Sequence, residues 1–140
     1  MKVFVDTGAW IALWDKNDKN HIEAKKHLQL LKRRRARLFS NDYILSETYT
    51  RFIYDFGLNA ALEFYQSVVE GAEHNLTVIE IDEGARQSVW RFLRKYSDHK
   101  LSFADATAAV CFLNYELDEI FTFDGHFREI NLPTNLTRLV

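Results

Sequence analysis

The chain has 140 residues, of which 47% are hydrophobic and 14% aromatic, with five glycines and a single proline. That length suits one domain, residues 1–140, with enough apolar material for a core and too little glycine and proline for long disordered linkers. The formal net charge is −2, so the molecule is no polycation, and contact with nucleic acid has to come from a local patch or from bound metal.

Taken in chain order, strands alternate with helical stretches. Val3–Val5 is a short buried strand; Asp6 ends it, Thr7 and Gly8 turn the chain, and Ala9–Trp14 is a helix. His21–Leu31 places Ile22, Ala24, Leu28 and Leu31 at amphipathic spacing. Leu38–Phe39 is a second strand. Tyr43–Phe56 is a helix opened by Asn41 or Asp42 as N-cap, and Asn59–Gly71 is another, with Gly71 near its end. Thr77–Ile81 is a strand, Asp82–Tyr96 a helix capped by Asp82, Ser102–Leu117 a helix, Ile120–Phe123 a strand and Leu136–Leu139 a last edge strand. This alternation calls for a parallel sheet with helices on both faces. The N-terminus lacks a basic segment followed by a long apolar one, and no apolar run approaches the roughly 18 residues of a membrane span. A soluble cytoplasmic protein is expected. The single Cys111, in "ATAAVCFL", reads as a buried small hydrophobe, and one cysteine forms no intrachain disulfide.

Four carboxylates invite a chemical reading. "VFVDTG" and "FTFDGH" both run apolar strand, Asp, then Gly within two residues. In a parallel sheet the C-terminal ends of all strands lie at one edge, where open α/β sheets bind ligands. Asp6 and Asp124 therefore face one crevice, unless each merely caps the helix or turn that follows. Asp105, three residues after Ser102 in "LSFADATAAV", is either the far half of a capping box or a carboxylate reaching over the sheet edge from the first turn of a helix. Glu47 lies off the Leu45–Tyr49–Phe52–Phe56 stripe, near Ile44, Thr48 and Arg51, as either a solvated glutamate or a site residue.

Together, Asp6 in "VFVDTGAWIAL", Glu47 in "NDYILSETYT", Asp105 in "LSFADATAAV" and Asp124 in "IFTFDGHF" resemble the four acidic positions of the PIN-domain ribonucleases, in order and in spacing. The resemblance covers essentially the whole chain and is nearest to the VapC-type toxins of toxin–antitoxin pairs. It implies a three-layer α/β/α sandwich with a central parallel sheet of four or five strands. It also implies a Mg²⁺- or Mn²⁺-dependent endoribonuclease whose metal ligands and catalytic acids are Asp6, Glu47, Asp105 and Asp124. Thr7 matches the small residue after the first acid and Ser102 a polar position before the third, and both are expected to contact substrate. An antitoxin protein and a homodimeric state are further implications. Four acids suit this chemistry, because hard divalent cations take oxygen ligands, and without metal the cluster would repel itself and raise its own pKa values.

The remaining features admit plainer readings. His21, His27, His74, His99 and His126 lack zinc-type spacing and read as surface histidines, although His126 stands close enough to Asp124 to touch substrate. Lys25, Lys26, Lys32, Arg33, Arg34, Arg35 and Arg37 are seven cations in 13 residues. They form either a solvated helix end or a contact for RNA phosphates or an acidic partner. Trp10 and Trp14, at i and i+4, belong to the core or to a partner groove. Other functions compete: a housekeeping RNA-processing nuclease, a PIN-like interaction module without catalysis, and a Mg²⁺-dependent phosphatase. The last lacks its usual Asp-x-Asp at the first strand, since Thr7 and Gly8 follow Asp6.

Overall fold

Val3 and Val5 pack on one side of the sheet and Phe4 on the other, and all three are buried. A strand covered on both faces needs an unbroken apolar run, and this one has it. The computed structural model describes residues 1–71, 76–130 and 132, and the backbone of 136–138; His74 and Leu139 lie outside them. Strands β1 (Lys2–Val5), β2 (Arg37–Asn41), β3 (Leu76–Ile79), β4 (Glu119–Thr122) and β5 (Leu136–Arg138) form one sheet in the order β3-β2-β1-β4-β5. Every pairing is parallel. Central β1 sets Val3 against Leu38 and Glu119, and Phe4 against Phe39 and Ile120.

The described residues add helices α1 (Thr7–Trp14), α2 (His21–Arg33), α3 (Asp42–Phe56), α4 (Leu58–Phe64), α5 (Glu83–Lys95) and α6 (Phe103–Asn114). One apolar cluster joins Val3, Val5 and Phe121 to α1, α2, α3 and α4. A second joins Phe4, Phe39 and Ile120 to α6, with Ala85 and Phe92 of α5 against it. The result is the three-layer α/β/α sandwich with a parallel sheet. No helix among the described residues is long and apolar enough to cross a membrane.

Three local expectations are corrected. Thr7 and Gly8 do not turn the chain: α1 starts at Thr7, because extended Asp6 serves as N-cap and its carbonyl accepts from the amides of Ala9 and Trp10. The expected helix over residues 59–71 is α4 followed by a π-helical segment, Tyr65–Glu70. There the Ser67 hydroxyl donates to the Glu63 carbonyl at 2.7 Å. Hydrophobic periodicity does not register that change of winding. Finally, α3 buries Ile44 and Thr48 as completely as Phe52, while Phe56 is 39% exposed. It packs on two flanks, since it adjoins both α1 and α6.

Both helices that lead into β-strands through tight turns end alike. The amide of Ala36 bonds the Leu31 carbonyl, and that of Leu117 bonds the Phe112 carbonyl. Each closes over a non-glycine residue in the left-handed region, Arg35 (φ 54°) and Glu116 (φ 51°), a conformation usually left to glycine.

Candidate active site

The strand order reverses beside β1, which leads to β2 on one side while β4 flanks it on the other. Such a switch point opens a crevice at the C-terminal ends of the strands. Asp6 follows β1 there, and Asp124 follows β4 by two residues. With Glu47 from α3 and Asp105 from the first turn of α6, they line one cavity of about 240 Å³, together with Thr7, Gly8, Arg51 and Phe123. Four carboxylates from four separate segments thus meet at one sheet edge.

Each is held by its own device. Asp6 is 6% exposed; its side chain caps nothing and instead accepts a 2.9 Å hydrogen bond from the Thr122 hydroxyl. That hydroxyl in turn accepts from the Asp124 amide at 3.0 Å, tying the two strand ends together. Asp124 accepts from the His126 amide at 2.9 Å and opens the 3₁₀ turn Gly125–Arg128. Asp105 and Ser102 form a reciprocal capping box, at 2.9 and 3.1 Å. The capping and crevice readings of Asp105 and Asp124 are therefore both realised, because the caps aim the carboxylates. Glu47 is held indirectly. The buried Thr7 hydroxyl donates to the Ile44 carbonyl at 3.3 Å, and the Thr48 hydroxyl donates to the same carbonyl at 2.7 Å. The Thr7 bond locks α1 against α3, and the Thr48 hydroxyl, 3.2 Å from that of Thr7, backs it from within α3. Behind them, fully buried Asn41 accepts from the Ile44 amide at 2.8 Å and donates to the Thr107 hydroxyl at 3.1 Å, which fixes α3 to α6.

The cluster opposes its own ionisation. Burial pushes the Asp6 carboxyl up from the usual 3.8 to about 7; Asp105 and Asp124 add to this, and the Thr122 hydrogen bond resists it. Asp105 is raised by burial and by the charge of Asp124, against its bonds to Ser102 and the nearby His126. Glu47 is raised by burial and by Asp105, with Arg51 opposing. Carboxylates gathered in this way call for a counter-cation. An oxygen-rich donor set of this kind suits hard divalent ions such as Mg²⁺ and Mn²⁺.

The other expected contacts are placed unevenly. Thr7 lines the cavity, but its hydroxyl is engaged with α3. Ser102 stands exposed beside it as the cap of α6. His126 overhangs it, with Nδ1 3.3 Å from Asp124 Oδ1 and 3.6 Å from Asp105 Oδ2. The structure does not bring Lys32, Arg33, Arg34, Arg35 and Arg37 to the carboxylates. They end α2 and enter β2, and Arg37 pairs with Lys2 at the N-terminal edge of the sheet. A strand of four or five residues at about 3.3 Å each separates them from the cavity. Surface histidine is the wrong reading for His27: its side chain is 10% exposed, edge-on to Phe121 and 3.5 Å from Glu119. Trp10 is a core residue packed edge-on to Phe64. With Trp14, Leu28, Lys25 and Lys32 it also lines a second cavity of about 320 Å³.

Two contributors carry no motif signal. Arg51 lies one helical turn beyond Glu47, a spacing that places both on one flank of α3. Thr122, the last residue of β4, precedes Asp124 by two residues, and its hydroxyl reaches both the Asp124 amide and the Asp6 carboxylate.

Comparison with known proteins agrees with this fold. The chain is 27% identical over 128 residues to the 23S rRNA-specific endonuclease VapC20 of Mycobacterium tuberculosis, covering 89% of this chain and 91% of that protein. The crystal structure of VapC20, a sarcin-ricin loop cleaving toxin, superposes with a TM-score of 0.77 at 23% identity, over 91% of this chain and 93% of the other. VapBC2 from Rickettsia felis, solved with a DNA fragment from its promoter, gives a TM-score of 0.73 at 12% identity, over 99% and 98% of the two chains. FitAcB from Neisseria gonorrhoeae gives 0.60 at 14% identity, over 90% and 91%. The PIN domain profile matches residues 3–132, the span that carries strands β2, β3 and β4, most of β1 and all four carboxylates, and the chain belongs to the PIN domain family.

Proposed function

We propose that this protein is a VapC-type endoribonuclease, the toxin of a toxin–antitoxin pair, which hydrolyses RNA phosphodiester bonds in the four-carboxylate cavity with Mg²⁺ or Mn²⁺. The observation that carries this reading is the convergence of Asp6, Glu47, Asp105 and Asp124 on one cavity, with burial and mutual repulsion raising Asp6, Glu47 and Asp105. Asp6, Asp105 and Asp124 would hold the ion from the strand ends and α6, and Glu47 from the facing wall. When bound, such an ion supplies Lewis-acid stabilisation of the phosphate charge and makes a water molecule acidic enough to attack. The chain supplies the positioning. Thr122 keeps Asp6 and Asp124 in register, the capping box fixes Asp105, and the Thr7–Thr48 contact sets α1 against α3. Arg51, the cation on the cavity wall, is placed to meet a phosphate oxygen. A Cβ on Gly8 would meet nothing within 4 Å, so that wall has room for a substrate backbone.

The similarity to VapC20 makes 23S rRNA the first substrate to offer. Intact ribosomes should be cleaved with Mn²⁺ and spared in EDTA. Asp105→Asn should lose about two orders of magnitude or more, as when a positioned acid or base is removed. Cleavage that survives EDTA, or that survives Asp105→Asn, refutes the reading.

Partners follow from two further surfaces. The 320 Å³ cavity between α1, α2 and α4, apolar within and bearing Lys25 and Lys32, suits an apolar segment with acidic flanks from an antitoxin. Ile53, Tyr54 and Phe56 at the end of α3, and Leu58, Leu62 and Tyr65 beyond it, are exposed apolar residues of the kind that mark an interface. They support a homodimer, and a monomer mass by light scattering at tens of micromolar would refute it. Lys32–Arg37, remote from the cavity, would hold phosphates away from the cleaved bond. Neutralising three of these cations should lower RNA affinity and reduce the salt slope by roughly 0.7 for each phosphate that is no longer neutralised.

A further inference from the structure

We propose that His126 is a nitrogen ligand of the metal site, coordinating through Nδ1, and that it biases the site toward Mn²⁺ over Mg²⁺. The proposal rests on the reading of the carboxylate cavity as a metal site. The bond from the His126 amide to Asp124 Oδ1 folds the 3₁₀ turn so that the imidazole lies back over the carboxylates. The ring as a whole is 43% exposed, yet its Nδ1 atom is buried and makes no hydrogen bond. One donor atom from each of Asp105, Asp124 and His126 lies within 4.8 Å of the others.

The distances favour coordination over an ion pair. A protonated imidazole bonded to a carboxylate closes to about 2.7–2.9 Å, whereas Nδ1 stands 3.3 Å from Asp124 and 3.6 Å from Asp105, without hydrogen-bond geometry. Adjacent ligands of one ion sit about 1.4 bond lengths apart. Bonds of about 2.0–2.1 Å, as to Mg²⁺, put adjacent donors roughly 2.8–3.0 Å apart, and bonds of about 2.3–2.6 Å, as to Ca²⁺, roughly 3.3–3.7 Å. The 3.3 and 3.6 Å seen here exceed the first spacing by about half an ångström, a gap that a small rotation of either side chain closes around a shared cation. Mg²⁺ draws on oxygen ligands, whereas Mn²⁺, which also takes carboxylates, is a first-row transition ion that accepts an imidazole nitrogen more readily than Mg²⁺ does. An imidazole nitrogen therefore adds affinity for Mn²⁺ and little for Mg²⁺.

The test uses the full chain with metal alone. Electron paramagnetic resonance titration gives the Mn²⁺ affinity, electron spin echo modulation reports ¹⁴N bound to Mn²⁺, and Mg²⁺ affinity follows by competition. Wild type should show directly coordinated ¹⁴N. His126→Ala and the similarly sized His126→Asn should lose it and bind Mn²⁺ about tenfold more weakly, the lower end of what changes around a metal site cost. Mg²⁺ affinity should change less than about threefold by the same reasoning. Mn²⁺ binding that depends on Asp105 but shows no ¹⁴N coupling, or coupling that survives both variants, overturns the role of His126 and leaves the metal site standing. An equal loss of Mn²⁺ and Mg²⁺ also overturns it. Failure of the wild type to bind Mn²⁺, or binding indifferent to Asp105→Asn, overturns the metal-site reading itself.

Discussion

Replacing Asp6 by Asn should make the metal-free protein more stable at pH 8, even though it removes a carboxylate of the proposed metal site. Burial raises the Asp6 carboxyl from 3.8 to about 7. Between those values the folded state holds a proton that the unfolded chain has released. Metal-free stability therefore falls as pH rises through that window, and the penalty is complete above about pH 7. About three pKa units correspond to roughly 4 kcal/mol at most, at about 1.4 kcal/mol per unit. Asn has the same shape, accepts from Thr122 equally well and carries no charge. The assay is urea unfolding in EDTA, followed by the fluorescence of Trp10, Trp14 and Trp90, from pH 4 to 8. Asp6→Asn should match wild type near pH 4 and exceed it by about 2–4 kcal/mol at pH 8. Mn²⁺ at a thousand times its Kd should close or reverse the gap, because it stabilises the wild type by about 4.1 kcal/mol, and the variant has lost one carboxylate that would hold the ion. Equal stabilities at pH 8 in EDTA, or a wild type that gains stability from pH 4 to 8 relative to the variant, would refute the electrostatic account of the site.

Other substitutions test the surrounding framework. Thr122→Val, which removes the donor to Asp6 and the acceptor of the Asp124 amide, should cost about 1–3 kcal/mol in urea unfolding and lower cleavage in parallel. The Cys111 thiol, pushed up to about 11 by burial, should resist Ellman's reagent in the native protein and react only after unfolding. Arg35→Gly relieves a left-handed backbone at φ 54° and should be neutral or stabilising by up to about 1 kcal/mol. Gly57→Ala at φ 94° should destabilise by about 1–3 kcal/mol; both are read by the same unfolding curves.

Asp6 and Asp124 could be read from the sequence because a parallel sheet sends every strand end to one edge, so two strand-then-Asp segments must share a crevice. Asp105 could be read only as one of two alternatives, and the structure realises both, since a capping box orients a carboxylate without neutralising it. Glu47 was out of reach of periodicity alone. The helix that bears it packs on two flanks, and counting from Leu45 and Phe52 leaves the buried Ile44–Thr48 side unmarked. Resemblance to a family identified it where helical geometry did not. The basic run teaches a different lesson. A helix that precedes a parallel strand must end at the edge where strands begin, which is the edge opposite the acids, so topology alone places Lys32–Arg37 far from the cavity. Local patterns report neither the π-helical turn at Tyr65–Glu70 nor the grouping of His126 with Asp105, because the first is a change of winding and the second joins residues from different elements.

The central claim is that a metal-activated water, directed by the four carboxylates, cuts RNA. The chemistry of the new ends tests it most directly. RNA fragments produced with Mn²⁺ should carry a 5′-phosphate and a 3′-hydroxyl, the ends left when an external hydroxide attacks phosphorus in line and the 3′ oxygen is the leaving group. Fragments ending in a 2′,3′-cyclic phosphate would mean that the ribose hydroxyl is the nucleophile, and would contradict the account.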